Sequence, residues 1–407
     1  MKYILLKNGT IVQPEKVIKG DMLISGKRIV LIKPEIALPD PDVLIIDVED
    51  KYILPGLIHF RSPFLKVDES NQASTIYIAL SHGSTFLMDT LKISQTADYK
   101  TTIAGTIDKS KPIISDFSLH LDASTCSQLT TEALNHCYIH EGVSSFYLKW
   151  KHVHKIISGE FNSIFEYIAS NQLLLVLSTA TIKKSTLISN PTFFSVYLQT
   201  LKEAVAHIKS FGCPVLVSDL VSIEELEVVF DNFNEGDAVF AAVSPPDSAK
   251  NIPGAFTAEQ FTSLASNENI VLDPPLLTPP IKREQFIENS SSYSFIHQLT
   301  KGKRITKNSL KLLCNMYATR PSKIFGSYPQ KGALLAGSDA DLIVWSPVNE
   351  EGTNMRGANT SLLRADIDSL IINGRLIRGN DQVSPGQLNG SYIFRNAIYE
   401  TLSGVLK

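Results

Sequence analysis

The chain has 407 residues, of which 43% are hydrophobic and 19% are charged, and its formal net charge is −3. This length corresponds to two or three domains, or to one α/β barrel with an accessory unit. The composition excludes a disordered or collagen-like protein, and the small negative charge gives no basic field for nucleic acid or an anionic membrane.

The cysteines and the N-terminus narrow the class of protein further. The four cysteines lie singly, which excludes a zinc ribbon and a disulfide scaffold and predicts buried free thiols. The apolar stretch before Lys7 is too short for a signal peptide, and no apolar run reaches the length of about 18 residues that a membrane span needs. We therefore expect a cytoplasmic protein without a membrane segment.

The first fifty residues predict short β-strands separated by turns. Asn8-Gly9 and Gly26-Lys27 interrupt the apolar pattern, and pairs of this kind favour tight turns. The strand-like stretches are 3–6, 10–12, 21–24, 28–32, 43–48 and 52–54.

Between residues 53 and 330, short apolar runs alternate with longer stretches of helical periodicity. Such alternation is typical of a parallel sheet covered on both faces, and seven or so units predict a (β/α)8 barrel. A doubly wound open sheet is the alternative, but the first βα turn has no GxGxxG. The runs are 84–88, 113–121, 144–148, 173–177, 215–217, 238–243 and 270–272, and the helical patterns include 70–82, 163–170, 194–211 and 223–230.

The C-terminal part returns to the texture of the N-terminus. Residues 342–345 and 370–372 are strand-like, and Asn373-Gly374 predicts a hairpin. The expected architecture is therefore α/β. A TIM barrel, residues 53–330, is inserted into a small β-sandwich domain built from both chain ends, residues 1–52 and 331–407.

Four segments resemble the amidohydrolase superfamily, in the same order and at similar spacing. Residues 46–58, IDVEDKYILPGLI, resemble the segment that leads into the first barrel strand of that family. Residues 319–326, TRPSKIFG, residues 337–345, GSDADLIVW, and residues 372–374, ING, resemble its C-terminal segments. The resemblance covers nearly the whole chain and implies the same barrel and composite β-domain.

Three further segments point to the cyclic amidohydrolases within that superfamily. Residues 59–63, HFRSP, are similar to a segment of dihydroorotases, as are residues 273–284. Residues 83–90, GSTFLMDT, resemble a shortened form of another segment of those enzymes. Hydantoinases and dihydropyrimidinases share part of this pattern, and dihydroorotase-like is the sharper interpretation.

The resemblance implies a metal site, because the family uses zinc to activate a water and a carboxylate to transfer its proton. The implied ligands are an HxH pair on the first strand, a carboxylated lysine on the fourth, histidines on the fifth and sixth, and an aspartate on the eighth. His59 matches only the second histidine of the pair, and Lys149 lies two residues beyond the best register. The fifth strand leads to Ser178, and the sixth to Asp219.

The remaining candidates do not rebuild this ligand set. The eighth-strand segment is absent, and residues 285–310 offer Ser290, Ser291, Ser292 and His297 in its place. His152 and His154 form an HxH among lysines in a polar loop. We therefore predict a degenerate metal site, no zinc or other cofactor, and no carboxylate pair suited to metal-free acid–base work. The isolated histidines are His82, His120, His136, His140 and His207.

His59 and Arg61 are the candidate ligand-binding residues. A guanidinium at the C-terminal end of a barrel strand can hold a carboxylate in a bidentate fork. The alternative for Arg61 is a structural ion pair.

Two functions remain open from the sequence. The first is a pseudoenzyme that has lost metal catalysis and acts as a structural, regulatory or binding partner. By the resemblance, it would form a homo-oligomer such as a dimer and serve pyrimidine biosynthesis beside a partner of the aspartate carbamoyltransferase type. The second is an active hydrolase of cyclic amide C–N bonds, converting dihydroorotate to N-carbamoyl-L-aspartate.

Overall fold

The computed structural model describes residues 3–37, 42–65, 80, 82–94, 97–111, 113, 115–126, 129–180, 184–231, 236–244, 254–273, 305–346, 367–378 and 390–398. Two eight-stranded sheets organise these residues, one from both chain ends and one from the middle. The strands are β1 Tyr3–Val12, β2 Val17–Ser25, β3 Arg28–Lys33, β4 Val43–Asp47, β5 Tyr52–Pro55, β6 Leu57–His59, β7 Ser84–Leu91, β8 Asp116–Asp122, β9 Ser145–Lys149, β10 Leu174–Ser178, β11 Val215–Leu220, β12 Val239–Val243, β13 Ile270–Leu272, β14 Leu342–Trp345, β15 Ile367–Ile372 and β16 Arg375–Arg378.

The first sheet has the order β16-β15-β14-β5-β1-β2-β3, and β4 also pairs with β1. Strand β5 lies antiparallel to β14, so the N-terminal and C-terminal parts of the chain share one sheet. The predicted hairpin at Asn373-Gly374 is confirmed between β15 and β16, and both residues have positive φ, as the turn requires.

One expected turn is instead a bulge inside a strand. Residues 3–12 form the single strand β1, whose pairing with β2 shifts between Leu6 and Gly9. Asn8 takes a positive φ of 65° there, and its backbone N–H donates to Asp21 at 2.9 Å. The prediction of a break at Asn8-Gly9 was wrong because an Asn-Gly pair also suits the extra residue of a bulge.

The second sheet runs through β6, β7, β8, β9, β10, β11, β12 and β13 in chain order, each strand parallel to the next. This is the strand order of a (β/α)8 barrel, and the predicted fold class is confirmed. The predicted helices at 163–170, 194–211 and 223–230 are present, whereas the one at 70–82 lies largely outside the described residues. The α-helices are Tyr99–Ser110, Ala123–Cys126, Thr131–Asn135, Val153–Ile157, Asn162–Ser170, Lys184–Ile188, Pro191–Ser210, Ile223–Phe230, Ala258–Leu264, Lys307–Cys314 and Arg320–Ile324.

Side-chain alternation divides the barrel strands into two faces. Ile58, Phe60, Val176 and Leu216 are buried in one cluster that fills the interior. Val217 and its equivalents on the other face pack with the helices in a second, larger cluster. Among the described residues, no helix is long and apolar enough to cross a membrane.

The segment 390–398 closes the N-terminal end of the barrel. Its backbone N–H groups donate to carbonyls that precede or begin strands β8, β9 and β10. Arg395 enters the interior with no exposed surface, and its guanidinium donates to Ser118 Oγ and Ser145 Oγ at 2.8 Å each. Ser145 in turn hydrogen-bonds His120, so a polar network crosses the core near this end.

A buried lysine joins the two sheets at the same end. Lys331 Nζ lies 2.5 Å from Asp341 and 2.9 Å from Asp339, and it also contacts Asp116, the first residue of β8. Asn373 Nδ2 donates to Asp116 as well, at 2.7 Å. These contacts lie opposite the strand ends where barrel enzymes carry their chemistry, so we assign them to stability.

Candidate functional site

A bulge in the sixth barrel strand turns two consecutive polar side chains toward the barrel interior. The pairing of β11 with β12 shifts between Val217 and Leu220, and both of these side chains pack outward with the helices. Asp219, between them, has a φ of 69°, in the left-handed region that non-glycine residues rarely adopt. Bulges of this kind re-aim side chains, often beside functional sites.

The bulge brings Asp219 to Arg61 and Asp273. Arg61 follows β6, and its guanidinium makes ion pairs with Asp219 through Nη1 and with Asp273 through Nη2, the latter at 2.5 Å. The backbone N–H of Asp219 also donates to Asp273 at 2.6 Å. Asp273 and the Arg61 side chain are buried, and Asp219 is the most exposed of the three.

Two hydroxyls extend this ion cluster across the strand ends. Ser178 Oγ and Ser218 Oγ donate to the same oxygen of Asp219, at 2.8 and 3.0 Å. Tyr147 shares a side-chain hydrogen bond with Ser178. The cluster therefore extends from Arg61 through Asp219 and Ser178 to Tyr147.

The pKa values follow from burial and from the shared guanidinium. Burial, together with the Asp219 carboxylate, raises the pKa of Asp273 to about 8, and the opposing effect of Arg61 is smaller. Burial raises the pKa of Tyr147 to about 12. The pKa of Arg61 is also raised, because its two carboxylates outweigh its desolvation. A buried carboxyl with a pKa near neutrality can exchange protons.

Two other sequence candidates, His59 and Lys149, lie on strands of the same barrel. Ile58 and Phe60 face the interior, so His59 between them lies on the opposite face, and its Nδ1 accepts from the backbone N–H of Arg61 at 3.4 Å. Lys149 is the last residue of β9 and pairs in register with Ser178.

A second buried ion pair lies beside the same strand ends. Lys184 Nζ contacts Glu225 and lies 2.7 Å from the hydroxyl of Tyr197, which donates to Glu225 at 2.6 Å. The other Glu225 oxygen accepts the backbone N–H groups of Val221 and Ser222. These contacts connect Lys184, in the segment after β10, to Glu225, in the helix after β11.

Comparison with known proteins finds dihydropyrimidinases and hydantoinases among the similar proteins. Dihydropyrimidinase of Dictyostelium discoideum is 22% identical over 84% of this chain and 79% of its own length. D-hydantoinase of Ralstonia pickettii is 47% identical over a segment that covers only 12% of either protein. The crystal structure of dihydropyrimidinase from Brevibacillus agri NCHU1002 matches 97% of this chain and 99% of its own, with a TM-score of 0.74 and 18% identity. No family model matches the chain.

The resemblance to the cyclic amidohydrolases of the amidohydrolase superfamily is confirmed. At the described strand ends, groups in the places of the implied ligands have other contacts. Asp219 and Asp273 are held by a guanidinium, and Ser178, which ends the fifth strand, donates to Asp219. Where side chains are described, the group of three close enough to hold an ion is Asp116, Asp339 and Asp341, and Lys331 lies among them.

The isolated histidines have structural partners. His120 is buried between Ser145 and the Phe60 carbonyl, and burial lowers its pKa to about 3. His207 contacts Asn162 at 2.8 Å, and His136 lies 3.5 Å from Glu141 and near the His140 ring. His152 and His154 occupy neighbouring turns of a short helical segment. Ser290, Ser291, Ser292 and His297 lie outside the described residues.

Sequence reasoning did not bring these carboxylates together. Asp219 and Asp273 converge on Arg61 from positions on or after strands β6, β11 and β13. All three residues directly follow or end apolar strand runs, and parallel strands bring such positions to one edge. This shared position at the ends of strand runs was the signal in the sequence that could have placed the three residues together. The prediction that Arg61 and His59 bind ligand remains a prediction.

Proposed function

We propose that this protein is a cyclic-amidohydrolase-like barrel without metal-dependent catalysis, acting as a structural, regulatory or binding partner. The observation that carries the proposal is the ion cluster of Arg61 with Asp219 and Asp273. A divalent ion held by these carboxylates would have to displace a buried guanidinium, leaving its charge without a partner.

The proposal also covers the location, oligomeric state and partner of the protein. By analogy with its relatives, we propose a cytoplasmic homo-oligomer associated with pyrimidine biosynthesis, with a partner of the aspartate carbamoyltransferase type. One feature supports association through a barrel helix. Phe193 and Val196 lie one turn apart on Pro191–Ser210, and each is 61% exposed.

A turnover assay tests the loss of catalysis. The purified protein is offered dihydroorotate, hydantoin and dihydrouracil, with and without added Zn²⁺, beside an active dihydropyrimidinase as the positive control. We expect no turnover above the uncatalysed rate in any condition. Turnover that a chelator abolishes and Zn²⁺ restores would contradict the proposal.

Light scattering and co-purification test the partner role. We expect the wild-type chain to be oligomeric, and Phe193→Glu to reduce its mass, whereas Lys202→Glu on an exposed turn of the same helix should not. The structural role would be contradicted if the wild-type chain is monomeric and no partner co-purifies with it from its native host.

A specific observation supports the alternative function, an active hydrolase of cyclic amide C–N bonds. The pKa of Asp273 is raised to about 8, which gives the site a carboxyl able to accept and return a proton. Under this alternative, the wild type turns over a cyclic amide without metal, and Asp273→Asn abolishes that activity while the chain remains folded.

A further inference from the structure

The barrel uses unusual backbone geometry to build its ion cluster. The bulge in β11 inserts Asp219 in a left-handed conformation, and two serine hydroxyls hold the carboxylate that results. Asp273, the first residue after β13, is fully buried, and its carboxylate accepts a hydrogen bond from the backbone N–H of Asp219. Strained residues persist where the surrounding structure fixes them, and they cluster at functional sites.

Oxygen atoms converge on this ion cluster. The carboxylates of Asp219 and Asp273 contact the guanidinium, and the hydroxyls of Ser178 and Ser218 donate to Asp219. Carboxylate and hydroxyl oxygens suit Mg²⁺, Mn²⁺ and Ca²⁺, whereas nitrogen and sulfur ligands favour zinc. The cluster therefore has the ligand chemistry of a hard divalent cation, with a side-chain cation lying in it.

We propose that Arg61 is a built-in replacement for a divalent metal ion, occupying an oxygen site that would bind Mn²⁺ or Mg²⁺ once the guanidinium is removed. This inference rests on the proposed function, since it takes the wild-type barrel to be free of metal at these strand ends. The inference adds that Arg61 supplies the positive charge that a divalent ion would otherwise bring to these carboxylates.

Charge supports the exchange. The guanidinium of Arg61 contacts both carboxylates, and a divalent ion in its place would present two positive charges to the same two groups.

The test compares Arg61→Ala with the wild type in Mn²⁺ binding, followed by electron paramagnetic resonance and by thermal unfolding. We expect no tight Mn²⁺ binding by the wild type, and saturable binding of a single ion by Arg61→Ala, with a rise in its melting temperature. Arg61→Lys keeps a cation and should bind no Mn²⁺. Arg61→Ala combined with Asp219→Asn or Asp273→Asn should lose the new site.

Two outcomes overturn the inference. One is a folded Arg61→Ala that binds Mn²⁺ no better than the wild type. The second concerns an Arg61→Ala variant that is unfolded without metal. The inference then requires that Mn²⁺ refolds the variant while potassium chloride of equal ionic strength does not, and it is overturned if Mn²⁺ fails to refold it. Either outcome is compatible with the proposed function as long as the wild-type protein is inactive and free of metal. Metal-dependent turnover by the wild type would contradict the proposed function itself.

Discussion

Replacing Asp273 by asparagine should change how stability depends on pH. Asp273 is buried at the end of β13, and its pKa is raised from 3.8 to about 8. Between these two values the folded state binds more protons than the unfolded state, so this group stabilises the fold at low pH. That contribution is complete below about pH 4 and is lost as the pH rises through about 8.

The magnitude follows from the size of the pKa change. Each pKa unit corresponds to about 1.4 kcal/mol, so Asp273 alone would remove on the order of 5 kcal/mol of unfolding free energy across this pH range. Asparagine cannot titrate, so the variant should not show this decline. Its single amide oxygen cannot accept from both the backbone N–H of Asp219 and the Arg61 guanidinium, so one donor loses its acceptor, which lowers the stability of the variant by about 1–3 kcal/mol at every pH.

Urea unfolding of both proteins at a series of pH values measures the difference. The stability of Asp273→Asn relative to the wild type should increase as the pH rises, by up to several kcal/mol on this scale. The control is Asp231→Asn, at an exposed ion pair with Lys202, which should shift stability by less than about 1 kcal/mol. Parallel curves for Asp273→Asn and the wild type would refute the argument that Asp273 holds a proton in the fold.

Three further predictions concern the frame around the site. Lys331→Met removes the cation that Asp116 and Asp341 contact, while Asp339 keeps Arg28, and it should lower the free energy of unfolding by about 3–5 kcal/mol; a loss under about 1 kcal/mol would contradict the role given to this contact. Arg395→Ala removes the hydrogen bonds to Ser118 and Ser145 and should lower it by about 3 kcal/mol in the same urea assay, whereas the exposed Lys202→Ala should change it by less than about 1 kcal/mol. The four cysteines are buried and burial raises their pKa values, so Ellman's reagent should react with none in the native protein and with all four after unfolding; rapid native reaction would contradict their placement.

The frame could be predicted from sequence because its signals are local and repeated. Each apolar run between residues 84 and 272 is a barrel strand, and the turn signal at Asn373-Gly374 forms the expected hairpin. Asn8-Gly9 carries the same kind of signal, yet it forms a bulge. The choice depends on the partner strand β2, which the local sequence does not reveal.

The site was only partly predictable, because its geometry depends on contacts between distant strands. His59 and Arg61 stood out through their resemblance to a family segment, but only the fold shows that His59 faces outward while Arg61 reaches two carboxylates. Asp219 was noticed as an isolated carboxylate in place of a histidine. Its partner Asp273 lies 54 residues further along the chain, and a bulge decides that the two meet.

The metal content of the wild-type protein tests the central claim most directly. The chain is expressed in medium supplemented with zinc and manganese, dialysed against metal-free buffer, and analysed by inductively coupled plasma mass spectrometry. An active dihydropyrimidinase, carried through the same steps, calibrates the retention of metal. The account predicts far less than one ion of either metal per chain. One or more ions per chain that survive dialysis, and that are lost in Asp273→Asn, would contradict it.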